Sequence, residues 1–158
     1  MDKRAQAQRL LAELGETLKL DKLTLDESTD SCALLFDDKR LLEIEFEKDS
    51  GRLVLNCALG ELPPGDAEPL LRELLVADLY WHRTRGATLG VDEHSGQVML
   101  TQAQGVVELD RQAFEALVET FLNEADRWSS RIAAKPSSAD GAAASATLGD
   151  RGAPVIFG

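Results

Sequence analysis

The segment 41–47, LLEIEFE, alternates apolar and acidic residues without a break, and no other feature constrains the fold of this chain as strongly. Successive side chains of a strand point to opposite faces, so Leu42, Ile44 and Phe46 share one face and Glu43, Glu45 and Glu47 the other. A tight turn at Asp49-Ser50-Gly51 leads into a returning strand, RLVLNCAL, at 52–59. Upstream, SCALLF (31–36) places Cys32, Leu34 and Phe36 on one side and ends at the turn former Asp37-Asp38, while Leu23 and Leu25 begin a further strand-like run. The pattern is an antiparallel meander with one apolar face and one wet, acidic face. Such a sheet requires helices over its apolar side.

The rest of the chain supplies them. Residues 2–20 read as an amphipathic helix capped by Asp2, with Ala7, Leu11, Leu14 and Leu18 on one stripe and Leu10 widening it. GELPPGD (60–66) breaks the chain, and Asp66 caps a leucine-rich helix over 66–82. A hairpin of 87–92 with 97–102 turns at EHSG, and Asp110 opens a last helix carrying Phe114, Leu117, Val118, Phe121, Ala125, Trp128 and Ile132 on one side. The expected fold class is α+β: a two-layer sandwich of a twisted antiparallel sheet of about five strands with three helices, in the order α-β-β-β-α-β-β-α. Residues 1–134 form the expected domain. From Lys135 the composition shifts to Pro, Ser, Ala, Gly and Asp, so 135–158 is expected to be a disordered tail, although its last residues, PVIFG, are more apolar than solubility alone requires.

Helix 66–82 is too apolar to pack on one surface. Leu70, Leu74, Ala77 and Trp81 form one stripe, Leu71, Leu75 and Leu79 a second, and together they cover about 200° where a surface helix needs about 100°. Leu71, Leu75 and Leu79 are the expected contact with a second copy of the chain, with Leu70, Leu74 and Trp81 turned to the sheet, or the two stripes exchange these roles. Helix 1 and the meander also carry more apolar surface than one helix–sheet contact uses. Leu10, Leu14, Leu35, Leu42 and Ile44 are therefore the candidates for binding an apolar segment of another protein, without the histidines or cysteines.

A formal net charge of −11 argues against nucleic acid or an anionic membrane as partner, because the long-range field repels phosphate. Cys32 and Cys57 are the only cysteines, each in a strand-like run, and read as free buried thiols without metal spacing. The N-terminus MDKRAQAQRLL lacks the apolar core of a signal peptide, and no apolar run reaches 18 residues, so a cytoplasmic chain is expected. His82 and His94 have no ligand-spaced neighbours, and no P-loop, G-x-S-x-G or dinucleotide fingerprint occurs. A hydrolase or transferase would have to gather Asp92, Glu93 and His94 with a nucleophile that the sequence does not display.

The string GATLGVDEHSGQVML between two helices is the most diagnostic piece of a broader pattern: an entry helix, SCALLFDD, EKDSGRLVLNCALGELP running into a leucine-rich helix, and an acidic last helix ending near DRW. Over roughly residues 3–132 the chain resembles the class I chaperones of bacterial type III secretion, the family of the Tir chaperone. Departures are the YWH end of helix 2 and the Ala/Gly/Ser tail. The resemblance implies a homodimer in the bacterial cytoplasm that binds the N-terminal region of one or a few secreted effectors. It implies no enzymatic activity, cofactor or ATP, with release to an export apparatus whose ATPase is a further partner. The other reading is a binding or regulatory module that shares the fold without a link to secretion.

Overall fold

A computed structural model describes residues 2–134; the expected tail, 135–158, lies outside the described residues. Helix α1 spans Lys3–Thr17, followed by strands β1 (Ser31–Phe36), β2 (Arg40–Glu47) and β3 (Arg52–Glu61). Helix α2 spans Glu68–Asp78, strands β4 (Thr88–Val91) and β5 (Gln97–Gly105) form the second hairpin, and α3 spans Arg111–Ala133. All strand pairs are antiparallel in one sheet of order β1-β2-β3-β5-β4. The expected class and element order hold. One element differs: Leu23 and Leu25 are buried but form no strand, because Gln8 on α1 takes their backbone partners, donating to the Leu23 carbonyl (3.3 Å) and accepting from the Leu25 N–H (2.9 Å).

The alternation of β2 sets the two faces. Leu42, Ile44 and Phe46 are buried together with Leu53, Leu55, Cys57 and Leu100, whereas Leu35, Leu41, Glu43 and Glu45 are exposed. The turn between β2 and β3 needs Gly51: φ is +70°, and a Cβ there would lie 2.2 Å from Lys3 Cδ. Helix α3 lies across β3. Its Phe114, Phe121 and Ala125 are wholly buried, the Ser129 hydroxyl donates to the Leu59 carbonyl (2.6 Å), and Arg40 reaches from β2 to Asp126 (3.0 Å). Asp110 caps it by accepting from Ala113 N–H at 2.8 Å.

Helix α1 sits in the corner between the sheet and α3. Asp2 accepts from Arg4 N–H and Ala5 N–H, Gln6 donates to the Leu109 carbonyl (3.3 Å), and Arg111 pairs with Glu16. A corner covers a helix from two sides, so Leu10 and Leu14 are both buried along with Ala7 and Leu11. Each buried leucine is worth roughly 1.5–3 kcal/mol relative to exposure. Leu42 and Ile44 belong to the same buried cluster as these residues.

Candidate partner-binding surfaces

Exposed apolar side chains concentrate at the two ends of the sheet. At the β4 end, α2 sends Leu70, Leu74 and Ala77 into the core and turns Leu75 and Val76 outward, with Leu71 half-buried. The helix stops at Asp78, short of the expected 82. Its Asp66 carboxylate accepts from Glu68 N–H (3.2 Å), but the cap position itself is Ala67, which makes no side-chain bond. Beyond Asp78 a single 3-10 turn, Leu79–Trp81, carries Tyr80 and Trp81 at φ 56°. That left-handed backbone costs on the order of 1–3 kcal/mol per residue. It also ends the helical stripe, so Trp81 does not turn to the sheet as its spacing predicts and is 53% exposed. Leu79 (63%) and Tyr80 (74%) stand beside it, and Leu75 is 71% exposed.

Fixed contacts hold this surface in place. Asp78 accepts from Leu89 N–H at 2.8 Å, and Trp81 Nε1 donates to the Thr88 hydroxyl at 3.1 Å, tying the turn to β4. Behind it, the buried carboxylate of Glu124 on α3 pairs with Arg127 (2.5 Å) and Arg85 (3.3 Å), and Arg127 donates to the Arg83 carbonyl. Thr84 is fully buried between these arginines in sequence. Gly86 closes the segment at φ +94°, against Gln102 of β5. The apolar face is thus presented by a strained turn anchored at both its ends.

The β1 end is built differently. β1 pairs with β2 on one side only, and among the described residues no backbone hydrogen bond engages Cys32 to Leu35 from the other side. Such an edge is a template for a further strand. On its helix side runs a groove lined by Leu18, Leu20, Leu23, Leu34, Leu35 and Phe36 together with Asp21, Lys22 and Asp37. Leu20 is 43% exposed and Leu35 60%. On its open side a second groove is lined by Ser31, Ala33, Glu43, Glu45, Val54 and Asp26. The Ser28 hydroxyl, with the backbone N–H groups of Ser28 and Thr29, holds the Asp26 carboxyl down to about 2.

Of the expected client-binding residues, the structure leaves Leu35 available and removes four. Leu10, Leu14, Leu42 and Ile44 are between 0% and 3% exposed and belong to the protein's own core. Sequence spacing shows which residues share a face, but not whether a second element closes over it. Leu41, 48% exposed, was legible from the alternation of β2, which places it with the glutamates. Leu20 and Val76 carry no such signal.

The remaining reactive groups are dispersed. His94 and Glu93 lie in the exposed β4–β5 turn, where Asp92 is held below the ordinary carboxylate range by the Ser95 hydroxyl and neighbouring N–H groups. Burial pushes the Cys32 thiol up to about 11 and raises that of Cys57, and both are free. Among the described residues no three His, Cys, Asp or Glu side chains meet in a metal-binding group, and no helix is long and apolar enough to cross a membrane.

The Tir chaperone protein (CesT) family model matches residues 9–129, a stretch that contains the sheet, α2 and most of α1 and α3. The chain belongs to this family. The chaperone fold has solved counterparts: a chain of the crystal structure of the ExsC–ExsE complex is 29% identical, with a TM-score of 0.74 over 84% of this chain and 97% of that one. A chain of the HopA1–SchA chaperone–effector complex (20% identity, TM-score 0.69, 80% and 95% covered) has the same fold. So has one from the Yersinia pestis type III secretion chaperone SycH with a fragment of YscM2 (15%, 0.61, 75% and 95%). A protein of Chlamydia pneumoniae is 33% identical over 81 residues, 51% of this chain and 61% of that relative, so the match spans less than two thirds of its length.

Proposed function

We propose that this type III secretion chaperone acts as a homodimer that binds the N-terminal region of one or a few effectors, keeping it extended and export-competent without ATP. The observation that carries the reading is the unpaired edge of β1 beside a leucine-rich groove, in a chain of this family. A disordered segment added to that edge gains main-chain hydrogen bonds along its length and places alternate side chains in the groove. It loses ordering entropy in doing so, which keeps a large contact releasable. The outward face of α2 joins two copies, doubling the number of edges one client chain reaches. Similar chains occur in complexes with other proteins, SchA with HopA1 and SycH with a YscM2 fragment, which supports a protein partner here.

Co-expression with secreted proteins of the same bacterium, followed by pull-down and amide exchange, tests the proposal. A larger secreted protein should co-purify, protected only in its N-terminal segment and without an independent fold there. Capture of a folded domain, or of no secreted protein, would favour a binding module unconnected with secretion.

A further inference from the structure

The two grooves flanking β1 differ in chemistry, and a strand added to that edge would sample both in alternation. The helix-side groove has a floor of leucines and Phe36, with Ala33 and the charged Asp21, Lys22 and Asp37 also lining it. On the open side, register sets Ser31 beside Glu45 and Val54 in one row, Ala33 beside Glu43 and Asn56 in the next, and Leu35 beside Leu41 in a third. Glu47 pairs with Arg52, whereas Glu43 and Glu45 form no ion pair among the described residues. Both are exposed. The β1 residues between them and the free edge are Ser31 and Ala33, too small to block the way.

We propose that the segment captured at β1 is a strand whose helix-side residues are apolar and whose open-side residues opposite Ser31 and Ala33 are Lys or Arg. The proposal rests on the edge capture argued above and specifies its substrate. Neighbouring strands lie about 4.8 Å apart, so the added strand sits about 10 Å from β2. A Lys or Arg stem spans most of that distance, lying along the Ala33 methyl with its charge at Glu43 or Glu45. Asp26 adds a third carboxylate to the same groove. The position opposite Leu35 meets two exposed leucine side chains, Leu35 and Leu41, and is apolar. Aspartate or glutamate at the two cationic positions places like charges together, so the charge pattern selects against acidic segments as much as for basic ones.

The test uses three blocked nine-residue peptides with Val on the helix side, Lys, Gln or Glu at two successive open-side positions, and Val at the other open-side positions. Their affinity for the full chain is read by fluorescence anisotropy at low and physiological salt. The expected order is Lys over Gln over Glu, with about ten-fold between Lys and Glu at low salt and less at high salt, as screened surface charges require. The Glu43→Lys/Glu45→Lys chain, its fold checked by circular dichroism, should reverse the order. Leu20→Ser/Leu35→Ser should weaken all three peptides alike. Equal affinities that charge reversal leaves unchanged would overturn the charge rule and leave edge capture standing. Binding of no peptide, or binding indifferent to Leu20→Ser/Leu35→Ser, would overturn edge capture itself.

Discussion

The β4 end and the β1 end of the same sheet both expose apolar side chains, yet they present opposite kinds of surface. At the β4 end, also an edge of the sheet, Leu89 N–H is taken by the Asp78 side chain, and the strained turn is tied to β4 by Trp81 and to α3 through Glu124. What remains is a raised, rigid patch of side chains, suited to a partner that is itself rigid and complementary, as a second copy is. At the β1 end the side chains form a trough and the backbone itself is unpaired. That suits a partner with no structure of its own, which supplies its backbone as well as its side chains. The proposed self-association and the proposed client capture thus fall at opposite edges of one sheet, and at β1 unpaired backbone groups are part of the surface.

Replacing Leu75 with Asp should have the largest effect on this division. A charge desolvated in an apolar contact is expected to weaken the dimer by about a hundred-fold or more. Sedimentation velocity should show a folded monomer, and its β1 edge should still bind a peptide. A stable Leu75→Asp dimer would place the interface elsewhere. Loss of peptide binding in the monomer would show that the two ends are not independent.

Ile44 and Leu35 separate core from surface within the β1 end. Ile44→Asn removes a fully buried side chain and leaves a polar group under α1 and α3, so thermal unfolding should register a loss of about 3 kcal/mol. Leu35→Asn should stay within about 0.5 kcal/mol of the parent while weakening client capture. Similar melting curves for the two variants would mean that β2 is not covered as described.

Glu124→Gln should act only at the β4 end. Its two arginines are about half or more exposed, so the loss is expected near 1 kcal/mol after solvent screening, well below that of a fully buried pair. Dimer dissociation should rise several-fold while peptide binding at β1 stays unchanged. An equal effect at both ends would indicate general loosening of α3.

The smallest expected effect is acid sensitivity at the β1 end. Lys48 and then Arg4 hold the Asp30 carboxyl below its ordinary value, joining α1, the 26–30 loop and the end of β2. A depressed native pKa stabilises the fold above the unfolded carboxylate range, about pH 4, and that contribution disappears as pH falls through the lowered native value. Asp30→Asn should therefore lower the melting temperature at neutral pH and flatten its decline below pH 4. An unchanged slope would assign acid sensitivity to other carboxylates.

Much of this was readable in the chain itself. The alternation of LLEIEFE encodes the strand, its faces and the outward place of Leu41; the two stripes of helix 66–82 left open which one faces the core, and packing buries Leu70 and Leu74 and exposes Leu75 and Leu79. The candidate site was less legible. Of the five residues named for client binding, Leu35 alone faces solvent, and the free edge beside it, with Leu20, is a property of strand order that no local pattern encodes.

Sequence periodicity determined which side chains travel together, because the 2-residue and 3.6-residue repeats are fixed by backbone geometry wherever the element lies. It fixed the element order, the two-faced sheet and the surplus apolar stripe of α2. Tertiary structure decided which surplus survives. The corner site of α1 hid Leu10 and Leu14, while the positive φ at Tyr80 and Trp81 threw Trp81 outward. Pairing on one side alone left the edge of β1 open. Exposure is a relation between elements distant in sequence, and only their packing sets it.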